Sequence, residues 1–310
     1  MNDLARRYEV FGRVEAPGYR ELTEGIAADP ALLSLIAALP APKQQPNLLF
    51  AAVRFLGGPV TAYPAFSSFV RQSWDAVRAT MLARSTQTNE AARCAALLPA
   101  LCLLDGPLAL IEVGASAGLC LYPDRYGYRY PGRELGPQEG AFTCEVTGPA
   151  PLPDRLPEVV WRVGVDLNPL DVRDPDAVAW LRALVWPWQP ERLANLERAV
   201  AVVAQDPPRL VRGDLNECVA GLVAQAPEEA TVVVFHTAVL PYLGEAERER
   251  FAATMRALPC HWLANEGPAR QPWVRLPYPP PADRAVMALV LDGRPLAFAG
   301  PHGQSLSWFA

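Results

Sequence analysis

Five ionisable side chains stand where apolar runs of the chain end. Glu112 lies inside LALIEVG, Asp166 closes VVWRVGV, and Asp214 follows Arg209–Arg212 through Gly213. His236 follows TVVVF, and Glu266 follows HWLAN. A carboxylate can accept from the paired hydroxyls of a ribose, and an imidazole titrates near neutrality. These residue types therefore suit nucleoside binding and general acid–base work. Gly114 and Gly118 follow Glu112, with only Ala115, Ser116 and Ala117 between them. Small residues permit a sharp turn and let a ligand approach the backbone. A helix beginning near Ser116 would aim free N–H groups and the positive end of its dipole at that ligand. No Gly-Lys-Ser/Thr follows, which argues against a P-loop nucleotidase. The alternative is a tight strand–helix turn that holds nothing.

The elements that must position these groups read as alternating strands and helices. Leu108–Val113 is a short apolar run suited to a strand buried on both faces. Further strands are expected at 159–165, 209–212, 231–235 and 261–264. Helices are expected at 174–186, 190–203, 216–224 and 244–258, the first two opened by Pro175 and Pro190. Residues 285–291 and 294–299 read as a hairpin turning at Asp292-Gly293, and 305–309 as one more strand. The succession predicts an α/β fold: a Rossmann-like, mostly parallel sheet with helices on both faces and a C-terminal antiparallel hairpin. In such sheets ligands sit outside the carboxyl ends of the strands, where all five ionisable groups fall. Asp166 lies further beyond Gly118 than the roughly 20 residues of the dinucleotide pattern, and an insertion at 121–157 accounts for the excess. Within it, Arg125–Tyr130 reads as a hairpin or lid over the crevice. Its arginines and tyrosines would either stack nucleobases or form the polar–aromatic face of an exposed strand.

Residues 1–105 read as helical. Asp29-Pro30 is a helix start, and further helices are expected at 47–56, 66–82 and 88–104, the last kinked at Pro99. Gln87–Glu90 either caps that last helix or presents Asn89 and Glu90 to a substrate. An antiparallel helix of ~17 residues spans ~25 Å and would return this tetrapeptide to the carboxyl end of the central strand, beside Gly114 and His236.

A net charge of −5 disfavours a nucleic-acid backbone as partner. With 51% hydrophobic and 20% charged residues, the composition is that of a globular protein with a substantial core. The six cysteines form no C-x-x-C pair and the three histidines show no metal spacing, so reduced buried thiols and no metal are expected. No apolar segment reaches spanning length and the N-terminus shows no signal peptide, which predicts a cytoplasmic protein without a membrane partner.

The motifs together carry a resemblance. Glu112-x-Gly114-x-x-x-Gly118, Asp166, Gly213-Asp214 and the closing hairpin resemble the class I S-adenosylmethionine-dependent methyltransferases. TQTNEAARCAALLPAL, IEVGASAGL, GVDLNPLDV, FHTAVLPYL and NEGP resemble the bacterial domain of unknown function 2332 family across nearly the whole chain. The methyltransferase resemblance implies S-adenosylmethionine as cofactor and a small-molecule substrate. Gly114–Gly118, with Ser116, would cradle the methionine part, Asp166 the ribose, and Asp214 would face the adenine amino group, with Glu112 also among the cofactor-binding residues. His236 or Glu266 would act as general base or orient the acceptor, with Asn89 and Glu90 on the substrate. The expected organisation is a helical region, 1–105, packed on a Rossmann-like domain, 106–310. Two other readings use the same glycines and Asp166: a nicotinamide-dependent oxidoreductase, and a nucleotide-binding protein without catalysis.

Overall fold

A computed structural model describes residues 3–87 and 89–310. The chain forms two compact units, one from residues 3–87 with Pro175–Leu193, the other from Asn89–Asp174 with Ala194–Ala310. The division falls inside the helix Pro190–Gln205.

The first unit is helical, with helices Asp3–Val10, Arg20–Ala27, Pro30–Ala37, Pro46–Phe55, Tyr63–Gln72, Trp74–Ala83 and Pro175–Leu184. Asp29 caps the third of these as its sequence predicts, accepting the N–H of Leu32 at 3.0 Å with Pro30 at the first helical position. The single helix expected at 66–82 is two helices broken at Ser73, which itself caps the second without a side-chain bond. Tyr19 stacks on Phe50 at 4.2 Å in a core that also buries Ile26, Leu32, Phe66 and Trp180.

The second unit is built on strands β1 (Leu108–Val113), β2 (Tyr128–Tyr130), β3 (Arg133–Leu135), β4 (Phe142–Thr143), β5 (Glu145–Thr147) and β6 (Val159–Asp166). It continues with β7 (Arg209–Arg212), β8 (Thr231–Thr237), β9 (His261–Glu266), β10 (Met287–Leu291), β11 (Arg294–Ala299) and β12 (Ser305–Trp308). Nine of them form one sheet in the order β5-β12-β11-β10-β9-β8-β1-β6-β7. From β7 to β9 every pairing is parallel, while β9, β10, β11 and β12 follow one another antiparallel. The closing part is thus larger than the expected hairpin: β10 and β11 form it, and β12 and β5 extend it. β1 is buried along its whole length: β6 and β8 flank its edges, and the helix Leu215–Val223 and the turn Leu119–Leu121 pack against it, which is why its sequence is apolar without alternation. The chain moves from β1 outward to β6 and β7, then returns to the other side of β1 with β8. Such a reversal opens a crevice at the carboxyl ends of the two strands between which it occurs.

The strand–helix turn expected after β1 is a turn only: Leu119–Leu121 is a single 3-10 turn, and no α-helix starts near Ser116. The prolonged helix expected at 88–104 is likewise a 3-10 turn, Ala91–Arg93, followed by an eight-residue helix, Cys94–Leu101, that holds Pro99 inside it. Thr88, where that helix was to begin, lies outside the described residues. Within the insertion β5 joins the edge of the large sheet, and β2, β3 and β4 form the small sheet β3-β2-β4. Tyr126, Tyr128 and Tyr130 are buried there, and their hydroxyls donate to the carbonyls of Leu119, Pro123 and Ala95, so these rings have no free face for a nucleobase. All six cysteines are free thiols.

Candidate functional site

The backbone between β1 and Leu119 is held in rarely used conformations. Gly114 and Gly118 have φ of 72° and 70°, and Ser116, which is no glycine, has φ of 50°. Ala238, just after β8, has φ of 57°, so both loops at the reversal of strand order carry a strained residue. A side chain on Gly114 would put its Cβ 2.3 Å from Val239 Cγ2. The glycine is therefore required by the fold itself, and a valine at this position would disturb the turn as well as anything bound above it.

A knot of hydrogen bonds holds the turn. Asp166 Oδ2 accepts the N–H of Ser116 at 2.8 Å, and Oδ1 accepts that of Asn168 at 2.7 Å. Asn89 Oδ1 accepts the N–H of Ala117 at 2.9 Å, and its Nδ2 donates to Ser116 Oγ at 2.6 Å. Asn89 thus reaches the glycine turn instead of capping a helix. Gly118 donates to Ala115 O at 2.7 Å. The turn's N–H groups are spent on the protein itself.

Side chains alternate across a sheet, so the parallel register sorts the rest. Glu112 stands level with Gly164 on β6 and Phe235 on β8, and Thr237 with Asn265 on β9. Asp166, Glu112, Thr237 and Asn265 consequently share one face. His236 and Glu266 share the other, with Ile111, Val234, Trp262 and Ala264.

On that second face His236 is fully buried. The Trp262 indole, which can only donate, gives its Nε1–H to His236 Nε2 at 2.9 Å. The ring hydrogen of His236 is then on Nδ1, donating to Glu266 Oε1 at 2.7 Å. The same oxygen accepts the N–H groups of Val239 (2.7 Å) and Leu240 (3.3 Å). Neither imidazole nitrogen is left for a substrate in this arrangement. The pair anchors the loop after β8.

A family model described as an uncharacterized protein conserved in bacteria, DUF2332, matches residues 5–308. The chain belongs to the DUF2332 family. No curated protein and no solved structure matches it.

In this DUF2332 protein the candidate residues are brought together in part. Asn89, Ser116 and Asp166 meet directly. Glu90 is buried near His302, whose Nδ1 is 3.3 Å from Glu90 Oε2, and the neighbouring Arg93 bonds Thr237 on the Glu112 face. His236 and Glu266 are on the opposite face from these groups. Asp214 caps the helix Leu215–Val223 through the N–H of Asn216 at 2.8 Å. Glu112 is almost wholly buried; burial first, and the nearby Cys120 and Asp166 after it, push its carboxyl well above the usual range, against the pull of Arg93.

Arg93, Thr237, Asn265 and His302 escaped the sequence reading, although the parity of FHT and NE against their apolar neighbours carried a signal for two of them. A cleft of about 270 Å³ beside Ala117 is lined by Pro169, Leu170, Val172 and Leu210. Its rim charges, Asp171 and Arg173, pair with each other at 2.8 Å. Among the described residues no group of three or more His, Cys, Asp or Glu is placed to hold a metal ion. No helix there is long and apolar enough to cross a membrane.

Proposed function

We propose that this protein is a Rossmann-like, S-adenosylmethionine-dependent methyltransferase acting on a small molecule. The observation that carries the reading is the reversal of strand order between β1 and β8, with the glycine turn and Asp166 at its mouth. The donor set fits the nucleoside half of the cofactor. A carboxylate has about four lone-pair sites, and Asp166 spends one on Ser116 and one on Asn168, which leaves acceptors for a ribose diol. Leu167, directly beside it, is 70% exposed and gives an adenine ring an apolar surface. Asp214 keeps its Oδ2 for the adenine amino group while Oδ1 caps its helix. The methionine half would rest against Gly114–Gly118 by shape, since the N–H groups of that turn are occupied.

S-adenosylmethionine would supply a methyl group already activated on a sulfonium. The work left to the chain is to align the acceptor and exclude water, which is where most of the rate of such a displacement comes from. Asp166 and Leu167 would fix the nucleoside, and the Glu112 face would hold the acceptor. His236 and Glu266 have the supporting task of fixing the loop after β8.

A thermal-shift panel tests this reading with S-adenosylmethionine, S-adenosylhomocysteine, NAD, NADP and ATP. A ligand that binds only the folded chain at 100 times its Kd stabilises it by about 2.7 kcal/mol. S-adenosylmethionine and S-adenosylhomocysteine are expected to raise Tm. A rise with NAD or NADP alone would replace this reading with that of a nicotinamide-binding protein, a rise with ATP alone with that of a nucleotide binder, and no rise at all would remove it.

A further inference from the structure

The row on the Glu112 face holds buried polar atoms that the protein itself leaves unused. Asn265 has no exposed surface, yet neither its Oδ1 nor its Nδ2 has a hydrogen-bond partner. Glu112 is 5% exposed and its Oε2 has none either. An unpaired buried amide or carboxylate is a net loss to folding, so stability gives no reason to keep these groups. Thr237 stands between them on β8, and Arg93 ties it to the loop 300–303. Arg93 Nε donates to Pro301 O at 2.8 Å, and Nη1 to Thr237 Oγ1 at 3.1 Å. Glu90 and His302 close the same side.

We propose that this row is a binding site for a small molecule carrying a protonated primary amine next to a hydroxyl or carboxylate oxygen. Glu112 Oε2 and Asn265 Oδ1 are the acceptors for the ammonium, and Asn265 Nδ2 is the donor to the neighbouring oxygen. Glu112 and Asn265 are two strands apart, roughly 10 Å across the sheet, and two residues apart in register. Even without Glu112, whose burial favours its protonated form, the carboxylates of Glu90 and Asp166 outnumber the one guanidinium of Arg93 around this row, and a bound cation would favour the ionised form of Glu112. The inference rests on the methyl-transfer reading for its chemistry: the acceptor there would be the neutral amine, formed once the bound ammonium passes a proton to Glu112, and the binding itself is measured apart from any cofactor.

The experiment is calorimetric titration of the whole chain with glycine and with ethanolamine, using acetamide and acetate as uncharged and anionic controls. It is run with and without S-adenosylhomocysteine. Saturable binding of the two amines is expected, weaker by roughly ten- to a hundredfold in Glu112→Gln and lost in Asn265→Leu. Because Asn265→Leu replaces an unpaired amide by an apolar group of similar size, that variant is expected to melt no lower than the parent. The site is overturned by no saturable heat from either amine up to about 10 mM, where a complex with a Kd of about 1 mM is roughly nine-tenths formed. It is equally overturned if acetamide binds as well as the amines, or if Asn265→Leu binds them as the parent does. Amine binding without S-adenosylhomocysteine binding keeps the site and removes the cofactor; the reverse result keeps the cofactor and removes the site.

Discussion

Replacing Asp166 by asparagine perturbs the turn through one atom. Each carboxylate oxygen accepts a backbone N–H, from Ser116 at 2.8 Å and Asn168 at 2.7 Å. Asparagine keeps one acceptor and turns the other into a donor, so one N–H is left facing N–H. Losing a hydrogen bond to a charged acceptor costs about 1.5–3 kcal/mol. Ser116 sits at φ 50°, a conformation that costs a non-glycine residue about 1–2 kcal/mol and that this bond helps to hold. That strain is already present in the parent, so it does not add to the loss, and a total of about 1.5–3 kcal/mol is expected. At roughly 2–4 °C per kcal/mol for a unit of this size, Tm should fall by roughly 3–12 °C, read by scanning calorimetry. Asn89→Ala loosens the same turn from its other side, through Ala117 and Ser116. The two changes should therefore fall short of additivity by about 0.5 kcal/mol or more in a double-mutant cycle. An Asp166→Asn protein that melts like the parent, or a cycle in which the two costs simply add, would refute the account of the turn.

Two further outcomes follow from the opposite faces of the sheet. His236→Phe should cost about 1–3 kcal/mol in urea unfolding, because the Trp262 indole and Glu266 lose a buried partner, while binding on the Glu112 face is unchanged; an unaltered midpoint with lost binding would return His236 to the site. For Glu112 the sign is worked from its raised carboxyl pKa: the folded state holds the proton more tightly than the unfolded one, so stability is lost as pH rises above about 4.3. Glu112→Gln should match the parent at pH 4 and exceed it progressively at pH 6 and 8, on the order of 1 kcal/mol per pH unit until the folded pKa is passed, and a constant gap between urea midpoints would contradict this.

Legibility in the sequence followed the strength of the local signal. The strands at 159–166, 209–212, 231–237 and 261–266 and the turn at Asp292-Gly293 are close to where their apolar runs and breakers put them. What failed were continuations. TNEAARCAALLPALCLL reads as one helix because alanine and leucine favour one throughout, but Asn89 is drawn to the turn at Ser116 and Ala117, a tertiary contact that no local pattern announces. ASAGL reads as a helix start, yet the left-handed Ser116 and Gly118 interrupt it. The site was legible by position along the chain and illegible by face. The five ionisable residues flagged lie at or next to strand ends, but His236 and Glu266 were grouped with Glu112 because distance to a strand end says nothing about which side a residue takes.

That alternation makes immediate chain neighbours strangers. His236 and Thr237 are adjacent in sequence, as are Asn265 and Glu266, yet each pair is divided by the thickness of the sheet. Position 236 answers to Trp262 and Glu266, and position 237 to Arg93. Among descendants of one ancestor, change would then be compensated across strands: a drift at 236 matched at 266 or 262, a drift at 237 matched at 93. The support can be rebuilt by mutation without re-tuning recognition, and a change of ligand can evolve on one side while the scaffold behind it stays as it was.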